Sequence, residues 1–137
     1  MSRRDPLLRA IDAAAGTLAL LAGLGFGIPA VVGAVHMARY HGIWTLWGFP
    51  SYGRGAFEQV LGIRSSVPLI IGFAVVCLAL CVTGVLVVIG RRQARRALAV
   101  VLVPALVYCL GFTLPSGIVA VALIGLLLVV ASLILRR

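Results

Sequence analysis

The chain has little charge, and the charge it has avoids long stretches of the sequence. Only 11% of its 137 residues are charged, whereas 63% are hydrophobic and the mean hydropathy is +1.20. Soluble domains carry about 25% charged residues and about 45–50% apolar ones. A water-soluble core of this size has no use for so many apolar residues, so we predict that the main solvent of the chain is lipid.

Lysine is absent, so all twelve basic residues are arginines, and the net charge is +9. A charge this high can indicate nucleic-acid binding. Most of the arginines, however, lie in short clusters at the ends of apolar runs. This placement is typical of signals that orient membrane proteins, and we therefore expect no nucleic-acid partner.

Ionisable side chains are missing from the middle of the apolar runs. Because such a group inside a membrane usually marks a proton or ion pathway, its absence argues against a coupled transporter. Asp12 lies near the start of the first run, where we expect a structural role at the helix N-terminus and the water interface. Cys77, Cys81 and Cys109 form no CxxC pair, and we interpret them as small packing residues.

The charge-free stretches predict four transmembrane helices in a single membrane domain over 1–137. The first run is too long for the core of a signal peptide, which has about 7–15 residues. The last run, 97–135, would be about 60 Å long as one helix, twice the hydrocarbon thickness of about 30 Å. We predict that it folds back near Pro115. The predicted spans are 11–35, 67–90, 97–113 and 116–135, with Pro29 and Pro104 as expected kinks.

The distribution of arginines predicts the orientation of these spans. Nine arginines lie on the side that carries the two termini and the loop between spans two and three, and three lie on the other side. Basic residues favour the cytoplasmic side. We therefore predict an all-α integral membrane protein of the plasma membrane, a four-transmembrane-helix bundle with both termini cytoplasmic.

The loop between the first two spans, 36–66, has 31 residues and faces outward in this topology. It holds six of the ten aromatic residues: Tyr40, Trp44, Trp47, Phe49, Tyr52 and Phe57. Such a composition argues against disorder, and Trp and Tyr favour the membrane–water interface. We predict an ordered, aromatic-rich outer segment that covers the outer mouth of the bundle.

Local patterns divide this outer segment further. Glycine and proline over 48–53 predict a turn. A short helix is expected over 56–61, with Phe57, Val60 and Leu61 on one face. Ser65 or Ser66 is expected to cap the second span, with Pro68 in its first turn.

The candidate contact residues for a partner or lipid lie in the outer segment: Trp44, Trp47, Tyr52, Arg54, Phe57 and Glu58. A metal site formed by His36, His41 and Glu58 is disfavoured because the spacing fits no ligand pattern. A Glu58–arginine ion pair is favoured instead. Alternatively, Arg39, Arg54 and Arg64 face lipid phosphates or an anionic partner.

The first span carries small residues at four-residue spacing: Ala15, Ala19, Gly23 and Gly27. Small residues allow two helix backbones to approach closely, which favours association in lipid. We predict a packing stripe within the bundle or against a partner.

Two short stretches of the chain, within 33–40 and 47–73, resemble parts of known membrane-protein families. GAVHMARY, residues 33–40, is similar to the end of the first helix of small fluoride channels, but the absence of asparagine and the one-sided charge exclude that family. Small multidrug exporters need a glutamate in the first span, which is missing. The stretch WGFPSYGRGAFEQVLGI with VPLIIGF, within 47–73, resembles uncharacterised four-helix membrane proteins of actinobacteria. That resemblance implies the topology and no function.

The sequence is compatible with two functions and disfavours a third. The first is a non-catalytic accessory or structural subunit that packs against a larger membrane complex or itself. The second is a module that binds or transports lipid or a small hydrophobic molecule, with the outer segment as its lid. An enzyme is disfavoured, and no cofactor is expected, because the sequence holds no nucleophile–base pair, metal cluster or phosphate loop.

Overall fold

Long helices pack side by side, and a short segment crosses one end of them. The computed structural model describes residues 4–46, 49–53, 55–112 and 116–135. The helices are α1 (Arg4–Tyr40), α2 (Ala56–Gln59), α3 (Val67–Val88), α4 (Arg92–Gly111) and α5 (Ser116–Leu135). Two very short strands, β1 (Thr45–Leu46) and β2 (Phe49–Pro50), pair antiparallel between α1 and α2.

Three helices in the described part of the chain, α1, α3 and α4, are long and apolar enough to cross a membrane. By length and composition, the predicted helical, multi-pass membrane class is therefore confirmed. The 37 residues of α1 correspond to about 55 Å at about 1.5 Å per residue, against a hydrocarbon thickness of about 30 Å. Part of α1 must therefore lie outside the hydrocarbon.

Each long helix packs against two neighbours. α1 packs against α3 and α5, and α4 packs against the same two helices. α1 and α4 therefore lie diagonally across the bundle. α1 and α3 run antiparallel, because Gly16 contacts Gly84 whereas Gly27, further along α1, contacts Cys77.

The two backbones of α1 and α3 touch near Gly16. A Cβ atom added to Gly84 would lie 2.7 Å from the carbonyl oxygen of Gly16, and one added to Gly16 would lie 2.7 Å from the oxygen of Gly84. No larger residue fits at either position without moving a helix. Lipid supplies no hydrophobic drive between helices, so close backbone packing of this kind is what holds such a pair together.

The two ends of the bundle differ in their buried side chains. We call the end with the turn between α3 and α4 the basic end, after Arg91, Arg92, Arg95 and Arg96, and the opposite end the capped end. Residues 41–66, which cross the capped end, are called the cap. The buried cluster of the basic end is small and aliphatic: Ala15, Ala19, Leu80, Val87, Ala94, Leu98, Leu102, Ala105 and Val129. The cluster of the capped end contains the rings: Ala30, Ala34, Tyr52, Ile70, Phe73, Cys77 and Phe112.

The first helix is longer than the predicted span. α1 continues to Tyr40, five residues past the predicted end at Val35, so His36 and Arg39 lie on a helix and not in a loop. It ends at His41, which has a positive φ of 53° and donates its N–H to the carbonyl oxygen of Met37 at 2.9 Å. Met37, Ala38 and Arg39 are good helix formers, and a helix has no reason to stop where the hydrocarbon ends.

The sequence also predicts the start of α4, kinks at two prolines and the N-cap of α3. α4 begins at Arg92, before the predicted start at Ala97, because arginine is also a good helix former. Pro29 and Pro104 lie inside continuous helices. Ser66 is the N-cap residue of α3, but its side chain makes no capping hydrogen bond. The predicted turn at 113–115 lies outside the described residues.

Candidate functional site: the aromatic cap and the groove beside it

Tyr52 is the residue that fastens the cap to the bundle. The β1–β2 hairpin precedes it, and Ser51 donates its backbone N–H to the carbonyl oxygen of Trp44 at 2.9 Å. Tyr52 then adopts a positive φ of 61°, which turns its ring into the bundle. Its hydroxyl donates to the carbonyl oxygen of Phe26 at 2.9 Å. Pro29 lies inside α1 and lacks the N–H that would donate to the carbonyl oxygen of Gly25, the residue before Phe26.

The Tyr52 side chain is only 2% exposed. Its ring lies 5.7 Å from that of Phe73 on α3 and 5.6 Å from that of Phe112 after α4, edge to face in the second case. Such ring pairs stabilise beyond the area they bury. Because burial disfavours the phenolate, the pKa of Tyr52 is raised well above its ordinary value.

Phe57, on α2, is the second anchor. Its ring lies edge to face with Phe112 at 5.5 Å and with Tyr108 at 5.8 Å. The ring rests against the backbone at Gly111, where a Cβ atom would overlap it. Gly55 approaches the carbonyl oxygen of Gly111 just as closely. Glycine at both positions is therefore what lets α2 lie on the end of α4.

The predicted apolar face of the short helix, formed by Phe57, Val60 and Leu61, is not present in the structure. Phe57 points into the bundle, but Val60 is 78% exposed and Leu61 is 62% exposed. The helix covers only Ala56–Gln59, so residues 60 and 61 follow a different backbone path. These two side chains point away from the bundle and are exposed.

The predicted contact residues fall into three groups. Tyr52 is buried and Phe57 is half-buried, and both rings contact aromatic side chains of the bundle. Glu58 is exposed, and Trp44 is half-buried near Gly33 of α1. Trp47 and Arg54 lie outside the described residues.

The predicted packing stripe lies on the inner side of α1. Ala15 and Ala19 belong to the basic-end cluster. Gly23 and Gly27 face α3, and a Cβ atom on Gly23 would lie 2.6 Å from the carbonyl oxygen of Cys77. The stripe is therefore used within the bundle. Gly16, which lies off the stripe, makes the backbone contact with Gly84 and was not part of the prediction.

Asp12 has a different role from the one expected. α1 begins at Arg4, so Asp12 lies two turns inside the helix and not at its N-terminus. Its carboxylate oxygen Oδ2 lies 3.0 Å from Nε of Arg95, and both side chains are largely buried. This ion pair joins the diagonal helices α1 and α4 at the basic end.

The interior beneath the cap is nearly filled. It contains a cavity of about 20 Å³, lined by apolar side chains that include Leu18, Phe26 and Leu102. A cavity of this size is about that of one water molecule. No group of three or more potential metal ligands occurs among the described residues.

The larger openings lie on the outside of the bundle. A groove of about 770 Å³ runs between α1 and α3 in the halves nearest the capped end. It is almost entirely apolar, with Ile28, Val31, Ile71, Val75 and Leu78 among its walls. A second pocket of about 430 Å³ contains polar side chains: His41, Glu58, Arg64, Ser65 and Ser66. Ala38 and Val67 line both, so the groove opens into the polar pocket.

Sequence reasoning missed the aromatic partners of the cap. Outside the outer segment the chain has four aromatic residues, Phe26, Phe73, Tyr108 and Phe112. All four make ring contacts at the capped end. Their placement in the outer parts of three different spans was a usable signal.

Comparisons of the chain with protein-family models, with curated proteins and with solved structures find no match. The resemblance to four-helix actinobacterial membrane proteins over 47–73 remains a prediction.

Proposed function

We propose that the chain is a non-catalytic, multi-pass membrane protein that serves as an accessory or structural subunit, packing against a larger membrane complex or against itself. The observation that carries this proposal is the filled interior. The cavity beneath the cap measures about 20 Å³, and the aromatic cap closes one end of the bundle. A bundle of this kind acts through its outer surface.

The proposed membrane arrangement has four spans with both termini in the cytoplasm. The 20-residue length of α5 supports the fourth span, and the arginine-rich turn between α3 and α4 supports a cytoplasmic basic end. In this arrangement the cap faces outward, and the protein lies in the plasma membrane.

A lipid carrier with the cap as a lid is less well supported. Such a carrier needs an internal chamber of about 300–1,000 Å³ for its cargo, and the space beneath the cap is far smaller. The open groove lies beside the cap.

The topology is tested with cysteine substitutions that expose a single thiol. Val60→Cys lies in the cap and Gln93→Cys lies at the basic end, and both sites are exposed. We expect a membrane-impermeant maleimide to label Val60→Cys in intact cells and Gln93→Cys only after lysis. The wild-type chain, whose three cysteines lie within helices, is the control. The reverse labelling pattern would overturn the proposed orientation.

The accessory role is tested by solubilising the tagged chain, expressed at its natural level, in a mild detergent. We expect either a stoichiometric membrane-protein partner or an oligomer of defined mass by light scattering. A monodisperse monomer without a partner would contradict the proposal.

A further inference from the structure

We propose that the groove between α1 and α3, together with the polar pocket at its mouth, binds one phospholipid molecule, with an acyl chain in the groove and the phosphate beside Arg64. The inference is independent of the accessory role, because it concerns the isolated chain. The groove brings together residues from two distant parts of the chain, so only the fold creates it.

The groove has the depth of one membrane leaflet. Its walls run from Gly23 to Ala38 on α1 and from Val67 to Cys81 on α3. At about 1.5 Å per residue each wall is about 20 Å long, compared with about 15 Å for half of a hydrocarbon core of about 30 Å. The groove therefore suits a molecule that occupies one leaflet and its interface.

The inner end of the groove is closed by helix contact. At Gly23 the two helices approach so closely that a Cβ atom there would lie 2.5 Å from Sγ of Cys81. Nearer the basic end, Gly16 and Gly84 touch through their backbones. A transmembrane helix of a partner needs about 20 residues and the full width of the bilayer, so a groove that ends midway favours a lipid over a helix.

The polar mouth matches a phosphate group. Arg64 is exposed there, beside the hydroxyl groups of Ser65 and Ser66. The hydroxyl of Ser66 makes no capping hydrogen bond, and the N-terminus of the 22-residue helix α3 adds a partial positive charge at the same place. Guanidinium, hydroxyl and helix N-terminus together are the groups that bind a phosphate.

The mouth also carries an acid. Glu58 lines the same pocket as Arg64, so the site presents both signs of charge. The headgroup of a zwitterionic phospholipid, which also carries both signs of charge, is compatible with this pocket. An uncharged diacylglycerol has no anionic group for Arg64.

Native mass spectrometry of the purified full chain tests the site. The protein is titrated with phosphatidylethanolamine, phosphatidylglycerol and diacylglycerol of the same acyl composition. We expect one molecule of either phospholipid to bind, and diacylglycerol to bind at least about tenfold more weakly, because it lacks the charged hydrogen-bond partner of Arg64. Equal binding of diacylglycerol would overturn the proposal.

Matched variants locate the binding. Arg64→Gln is expected to weaken phospholipid binding about tenfold, whereas Arg91→Gln, an exposed arginine at the opposite end, leaves it unchanged. Val75→Trp fills the groove and is expected to abolish the bound molecule. Val103→Trp, on the outer face of α4 and similarly exposed, is its control. Equal binding by Arg64→Gln and wild type would contradict the site even if Val75→Trp failed to fold.

A photo-crosslinking amino acid in place of Val75 identifies the occupant in cell membranes. A covalent adduct with the mass of a phospholipid is the expected result. Crosslinking to a second copy of the chain or to another polypeptide would overturn the proposal in favour of a protein partner.

Discussion

The basic end and the capped end hold the same pair of helices, α1 and α3, in two different ways. At the basic end the two backbones touch through Gly16 and Gly84, and small side chains fill the remaining space. At the capped end the ring of Tyr52 lies beside Gly33 of α1 and also contacts Phe73 of α3. The first arrangement needs residues without side chains, and the second needs a side chain brought in from outside the helices.

This difference indicates which substitutions should destabilise each end of the bundle. Contact between backbones tolerates no added atom, whereas a ring cluster loses stability gradually as single contacts are removed. The basic end also depends on the Asp12–Arg95 ion pair, which has no counterpart among the contacts described at the capped end. Four changes test this comparison.

The largest effect is expected from the ion pair. Asp12→Asn leaves the largely buried guanidinium of Arg95 without its charged partner, and removing one member of such a pair costs about 3 kcal/mol. Thermal unfolding in detergent measures this loss. The double variant Asp12→Asn with Arg95→Gln is expected to recover part of it, and Glu58→Gln, an exposed acid at the capped end, should change little. Additive effects of Asp12→Asn and Arg95→Gln would show that the pair is not coupled.

The backbone contact gives the next effect. Gly16→Ala places a methyl group against the oxygen of Gly84 and is expected to lower the free energy of unfolding by about 2 kcal/mol, within the range for overpacking. Gly25→Ala is the matched control, since a Cβ atom there meets no atom within 4 Å. Equal stability of the two variants would remove the close contact as an explanation for the basic end.

At the capped end the change is smaller and local. Tyr52→Phe removes the hydrogen bond to the carbonyl oxygen of Phe26 and is expected to cost about 1 kcal/mol. Hydrogen exchange should increase in the cap and not in the middle of α3. Tyr40→Phe, which changes an exposed tyrosine, should leave the free energy of unfolding and the hydrogen exchange of the cap unchanged.

Alkaline pH should release the cap through the same residue. The phenol of Tyr52 stays neutral in the folded cap, because burial raises its pKa, but ionises near pH 10 in the unfolded cap. The contribution of Tyr52 is thus fully present below about pH 10 and declines as the pH rises above it. Protease cleavage of the cap, followed from about pH 9 upward, measures this decline. A cap whose cleavage rises with pH equally in wild type and Tyr52→Phe would refute this explanation.

The helical membrane class followed from the sequence because charge-free runs of about 20 residues have few other uses. The direction of the cap's side chains did not. Aromatic residues suit the membrane interface and a buried core equally well, so composition could not place Tyr52 and Phe57 inside the bundle. Their partners Phe73, Tyr108 and Phe112 come from distant parts of the chain, and only the fold brings them together.

The ion pair and the groove were beyond sequence reasoning for a similar reason. Asp12 and Arg95 are 83 positions apart and lie on diagonal helices. The groove is lined by residues of both α1 and α3, which only the packing of the two helices brings together. Small residues at regular spacing predicted close packing on α1, but not the additional backbone contact between Gly16, which lies off the stripe, and Gly84.

The packing of the Phe57 ring against Gly111 has a consequence for biogenesis. The cap is synthesised before α4, yet part of the surface on which it rests belongs to α4 and to Phe112. In a nascent chain that has inserted only α1 and α3, the ring of Phe57 therefore lacks the residues against which it packs. Closure of the cap thus marks the moment at which the later helices have joined the earlier ones in the bilayer.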